Sequence, residues 1–227
     1  MPDWQYLNHE RHAALRIDRG CDSKRHFAQV VAAEFPEASI HYPIVFTKNP
    51  ESGAFYAGVI MGLEPGTNLL ATGGKLPDYR PADLERQGFF LEDDNVVIDL
   101  ESAAFASGEG EVLFEHGGEA APALKRVQHA LKLLRTGIAE TEEMIERLVT
   151  AQLLEPIDVT LNFDDGKPIR LEGLYTISLD GLHGLPDALV LELFRAGDLQ
   201  LAYSQTNSIR HVRTLARIRN ERLPGAA

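Results

Sequence analysis

The sequence predicts an α+β fold: an antiparallel sheet covered by a long helical segment and C-terminal helices. Three observations carry that prediction. From Ile40 onward, short apolar runs alternate with turn residues. Between Glu119 and Leu154, the residues Leu124, Val127, Leu131, Leu134, Ile138, Ile145 and Leu148 step mainly by three and four, which is the helical period. Beyond Pro156, two β-rich runs flank Asp165-Gly166, and helical patterns follow.

Taken in order, residues 1–39 open with a polar, His-rich stretch. Phe27 to Phe35 then has the apolar spacing of a short helix, which Pro36 should end. Tyr42-Pro-Ile-Val-Phe46 and Ala54 to Leu63, joined by Asn49-Pro-Glu-Ser-Gly53, read as a β-hairpin. Pro43 either delays the first strand to the following residue or places it at a sheet edge. Further strands fit Asn68–Thr72, Gly88–Leu91, Asn95–Leu100 and Val112–Phe114.

Gly137 marks a break of the 119–154 stretch into two helices, with Thr141 as N-cap of the second. Its a/d-like seam is too short for a freestanding coiled coil, so the stretch should pack on the sheet. Val159–Phe163 and Ile169–Ile177 form a hairpin around the Asp-Gly turn. Pro186 to Gly197 reads as a short helix with proline at its start and glycine beyond its end. A last amphipathic helix spans Leu199 to Leu223. With no internal repeat, the chain reads as one compact unit over 1–227, divisible into a sheet-rich part, 1–118, and a part of helices plus a hairpin, 119–227.

Composition narrows the function classes. The 227 residues hold 22 Lys plus Arg against 34 Asp plus Glu, a net charge of −12, which disfavours a general nucleic-acid binder. A hydrophobic fraction of 44% with 25% charged residues is that of an ordinary soluble globular protein. The single cysteine, Cys21, excludes an intrachain disulfide and any multi-cysteine metal site. The start lacks an apolar stretch behind a basic one, and no run reaches the roughly 18 apolar residues of a membrane span, so the cytoplasm is the default location.

The charge is unevenly spread. Residues 209–227 hold five arginines against Glu221, a surplus of four positive charges that leaves the remainder at −16. A basic helix on an acidic body suits an acidic protein partner or an anionic surface, and Arg210, Arg213 and Arg217 are its candidate contact residues. Catalytic motifs are missing. Gly108-Glu-Gly110 lacks the third glycine of a dinucleotide fingerprint, and His9-Glu-Arg-His12 lacks the i, i+4 histidine spacing of a zinc helix. Glu92-Asp93-Asp94 and Asp164-Asp165 lack the alternating ligands of a calcium loop. No catalytic residue or cofactor is assigned.

Several segments, taken together, are distinctive: Leu7-Asn8 with His12 and Leu15-Arg16, His41-Tyr-Pro-Ile-Val-Phe46, Gly58 to Leu63 with Asn68-Leu69, and Tyr79-x-Pro81-Ala82-x-Leu84-x-Arg86-x-x-Phe89. Ile98-Asp99, Leu113-Phe114-Glu115 and Leu185-Pro-Asp187 to Gly197-Asp-Leu199 continue the series in order. In these segments the chain resembles the bacterial SapC family, named for a protein associated with a surface layer. Leu76 stands where the family pattern has tryptophan.

The resemblance implies cell-surface association and a pathway shared with outer-membrane nutrient receptors, flavin-dependent halogenases and cupin-like oxygenases. The first expectation is a non-catalytic accessory or ligand-binding protein of cell-surface or nutrient-uptake machinery. Tyr42, Asn68, Tyr79, Arg86 and Asp99, in the matched region, are its candidate pocket residues, because they combine aromatic contact, hydrogen bonding and charge. The alternatives are a metal-dependent oxygenase or other modifying enzyme, using His41 and Asp99 with another histidine, and an oligomeric surface-layer assembly component.

Overall fold

The computed structural model describes residues 3–71 and 76–223. In chain order the elements are β1 (Trp4–Tyr6), α1 (His9–His12), β2 (Arg16–Ile17), β3 (Phe27–Gln29), α2 (Phe35–His41), β4 (Ile44–Lys48), β5 (Phe55–Ile60) and α3 (Ala82–Glu85). They continue with β6 (Phe89–Glu92), β7 (Asn95–Asp99), β8 (Glu111–Val112), α4 (Pro122–Thr150), β9 (Leu154–Leu161), β10 (Ile169–Ile177), α5 (Leu179–His183), α6 (Asp187–Ala196), α7 (Asp198–Ser208) and α8 (His211–Glu221).

The fold is α+β. A five-stranded antiparallel sheet runs β3-β5-β4-β10-β9, a three-stranded one β1-β7-β6, and β2 pairs with β8. The hairpin expected around Asn49–Gly53 is β4–β5, in register from Ile44↔Val59 to Lys48↔Phe55. Its first strand starts just after Pro43 and lies inside the sheet, so the missing proline N–H costs no ladder bond. The 29-residue α4 spans two cores. Leu124, Val127 and Leu131 pack with Phe89, Ile98 and Leu113, whereas Met144, Ile145 and Leu148 pack with Phe35, Tyr42, Ile44 and Phe46. At about 1.5 Å per residue, only a helix of this length bridges both.

Six expectations are corrected. Phe27–Phe35 is not a helix: it is β3 followed by a 3-10 turn at Ala32–Glu34. Pro36 opens α2 instead of ending a helix, since the first turn leaves its N–H sites unpaired anyway. Helix α4 does not break at Gly137. A Cβ there would lie 2.7 Å from Val31 Cγ2, so the glycine serves close packing. Thr141 is a latch within the helix, accepting the Ala32 N–H at 2.8 Å while donating to the Gly137 carbonyl at 2.5 Å.

The last helix is two, α7 and α8. Ser208 donates its hydroxyl to the Gln205 carbonyl at 2.6 Å, competing with continuation of the backbone ladder. That arrangement also ties α7 to the sheet. Ser208 Oγ accepts from Ile44 N–H at 2.9 Å, and buried Gln205 donates to the Ile44 carbonyl at 2.8 Å while accepting from Ile177 N–H at 3.1 Å.

Asn68–Leu70 is a turn and not a strand; Thr72 lies outside the described residues. The Asn68 amide oxygen accepts from the N–H groups of Leu70 and Ala71, an Asx-type turn. Among the described residues, no helix is long and apolar enough to cross a membrane.

Candidate ligand cleft beside helix α3

Helix α3 is four residues long, yet Asp83 and Glu85 on it are both buried. At about 100° per residue, side chains two apart leave opposite sides of a helix. Asp83 accordingly turns to Arg25 and Arg86, each donating at 2.7 Å. Glu85 turns to Arg19, which grips it with two bonds at 2.8 and 2.6 Å, and to Arg126 Nε at 3.1 Å and Arg80 Nε at 3.0 Å. Arg126 also forks onto Glu111 at 2.7 and 2.6 Å, and Arg80 forks onto Asp22. These guanidiniums satisfy carboxylates that burial alone would force toward neutrality. Burial still outweighs Arg80 at Asp22 and holds its carboxyl above the usual carboxylate range.

The approach to α3 is anchored from beneath. Buried Glu34 accepts from Val31 N–H and Ala82 N–H, both at 2.9 Å, and from the Tyr79 hydroxyl at 2.6 Å. Tyr42, fully buried, donates its hydroxyl to the Tyr79 carbonyl at 2.5 Å. Burial raises the pKa of Glu34 and of both phenols, so both tyrosines remain protonated donors.

A cleft of about 500 Å³ opens on the Asp83 side, lined by Arg25, Phe27, Tyr56, Arg86, Gln87 and Asp99 among others. Phe27 reaches it by lying over Gly58, where a Cβ would come within 2.0 Å of the ring. Tyr56 meets Phe27 edge-on at 6.1 Å. Arg86 is fixed twice, by Asp83 and by the Phe90 ring 5.4 Å away, which stacks in turn on Trp4 at 4.9 Å. Gln87 Oε1 is buried and has no hydrogen-bond partner among the described residues. A buried amide oxygen left open costs roughly 1–3 kcal/mol.

Of the five candidate pocket residues, the structure brings Arg86 and Asp99 to this cleft. Tyr79 lines a second cavity, of about 450 Å³, on the Glu85 side. Tyr42 lies in the core, and Asn68 is buried as a turn-former whose Nδ2 donates to the Asp22 carbonyl. A single pocket holding all five is not formed. Arg25, Gln87, Tyr56 and Phe27 were missed: Arg25 and Phe27 lie outside the quoted segments, and an unpaired amide has no sequence signal.

His41 ends α2 and Asp99 ends β7, in separate parts of the fold. Among the described residues no three His, Cys, Asp or Glu side chains are grouped as metal ligands. Arg210, Arg213 and Arg217 are exposed, the last paired with Glu221 at 2.8 Å. Of the other two C-terminal arginines, Arg219 is buried and Arg222 is exposed but bonded to the turn after Asn68. Arg219 stacks 4.0 Å over Phe163 and pairs with Asp165, and Arg222 donates to the Leu69 carbonyl at 2.8 Å.

The family model of SapC matches residues 7–215, and so takes in α3, its arginines and the whole cleft. The chain belongs to the SapC family. No curated protein and no solved structure matches it, so membership rests on the family model. The SapC match includes the buried Glu34 anchor and the α7 residues that clasp β4, but ends at Leu215, before the middle of α8.

Proposed function

We propose that this SapC-family chain is a non-catalytic, ligand-binding accessory protein of bacterial cell-surface or nutrient-uptake machinery, and that its ligand sits in the cleft beside Asp83. The observation that carries the reading is a cleft that holds two immobilised guanidiniums, the Asp99 carboxylate and aromatic walls, with Gln87, whose buried Oε1 is unpaired, among its lining residues. Two arginines and two aspartates leave the lining formally neutral. It therefore suits a small polar, uncharged or zwitterionic molecule rich in donors and acceptors.

The test is a screen of small sugars and amino acids by ¹⁵N-resolved NMR on the full chain. Saturable shifts should cluster at Arg25, Tyr56, Arg86, Gln87 and Asp99, and Arg86→Ala should weaken every such binder. Shifts confined to other surfaces, or binding indifferent to Arg86→Ala, would reject the site. Gln87→Met supplies a second check. It removes an unpaired acceptor while keeping the side chain's length, so it should weaken binding yet leave the unfolding midpoint equal or higher.

A further inference from the structure

The cavity on the Glu85 side of α3 has a different chemistry. We propose that it binds an organic anion consisting of one carboxylate on a flat apolar body, in the manner of an aromatic acid. This inference does not rest on the Asp83 cleft. The groove lies between the segment entering α3 and one face of α4, which contributes Lys125, His129 and Leu133 at successive i, i+4 positions.

Its floor is apolar. Ala82, Ala130 and Leu133 belong to one packed cluster with buried Val31, and the Tyr79 ring completes the wall because its hydroxyl is turned away onto Glu34. Its rim is cationic. Arg80 and Arg126 belong to a network in which three guanidiniums, with Arg19, balance the carboxylates of Asp22, Glu85 and Glu111, and Lys125 adds an uncompensated positive charge at the rim.

The cations divide into two kinds. Arg80 and Arg126 are held by Asp22, Glu85 and Glu111, so they are fixed. Glu85 is in turn shared among three guanidiniums and presents little net repulsion to an anion. Lys125 and His129 are exposed and make no side-chain hydrogen bond or ion pair among the described residues. A carboxylate at the rim would meet Lys125, and an apolar body would cover Leu133 and the Tyr79 ring. The cavity volume of about 450 Å³ lies in the range of small-ligand sites, roughly 300–1,000 Å³.

Titration calorimetry of the full chain at low ionic strength, with 2-naphthoate and its neutral counterpart 2-naphthalenemethanol, tests the charge and the apolar body separately. Naphthoate should bind at one site, at least about tenfold more tightly than the alcohol and less tightly as salt is added. Lys125→Glu should weaken it by at least about tenfold, with an unchanged denaturation midpoint, because Lys125 is exposed. Arg86→Ala, on the other side of α3, should leave naphthoate binding unchanged, which separates the two sites. Absence of saturable naphthoate binding, equal affinity for acid and alcohol, or indifference to Lys125→Glu would each overturn the proposal.

Discussion

Glu34 shows how much one side chain sets in place. Its two oxygens hold the 3-10 turn at Val31, the start of α3 at Ala82 and the Tyr79 phenol. Glu34→Ala leaves two buried N–H donors and a hydroxyl open, so chemical denaturation should show a loss of about 3 kcal/mol or more. The pH dependence has a defined sign. Burial raises the folded-state pKa above the ordinary 4.5, so the contribution of protonated Glu34 is full below that value and is lost as pH rises through the raised one. Glu34→Gln should flatten the stability profile on the alkaline side of pH 4.5. A slope equal to that of the wild type would show that other groups, Asp22 among them, carry it. Glu34 had no signal in the sequence, where it reads as one more acid in a helical pattern. Tyr42, Tyr79 and Arg86 were visible as residue types, but their partners were not. What separates the buried Tyr42 from a ligand contact is a carbonyl 37 positions away.

At the scale of elements, β4–β5, β6–β7, β9–β10, α4 and α6 were legible because period and turn residues agreed with the tertiary packing. The misread elements share a cause, namely that local punctuation served a distant contact. Gly137 looked like a helix breaker but makes room for Val31, and Pro36 looked like a terminator but opens α2. Gly137→Ala therefore sets two effects against each other. Alanine gains about 1 kcal/mol of helix propensity, and overpacking a buried valine costs roughly 1–3 kcal/mol. The variant should be net destabilised, by about 1 kcal/mol in urea titration. Adding Val31→Ala should reduce the penalty specific to Gly137→Ala, which a double-mutant cycle measures. A stabilised single variant would show that the Val31 side chain moves aside at little cost.

Across the whole molecule, the sequence showed the asymmetry of charge but not its direction in space. The C-terminal arginines divide by whether they bind another part of the fold. Arg210, Arg213 and Arg217 are exposed, whereas Arg219 and Arg222 hold a hairpin loop and the turn after Asn68. Replacing the first three together by glutamine should change the unfolding free energy by no more than about 0.5 kcal/mol per site. Replacing Arg219 and Arg222 should cost several times more, because an aromatic stack, an ion pair and carbonyl acceptors are lost together. Equal losses in the two sets would show that the contacts of Arg219 and Arg222 are weak. If the outward set docks an acidic partner, the triple variant separates docking from folding.

The clasp of α7 on β4 bears on the order in which the chain can fold. Ile44 opens the middle strand of the five-stranded sheet, and its N–H and carbonyl are satisfied by Ser208 and Gln205, 164 and 161 positions later. During synthesis β4 and β5 emerge long before those partners. Until α7 arrives, the middle strand carries open polar groups beside its apolar face, a state exposed to mispairing with other chains. A helix made near the end of the chain therefore closes a strand made near its beginning.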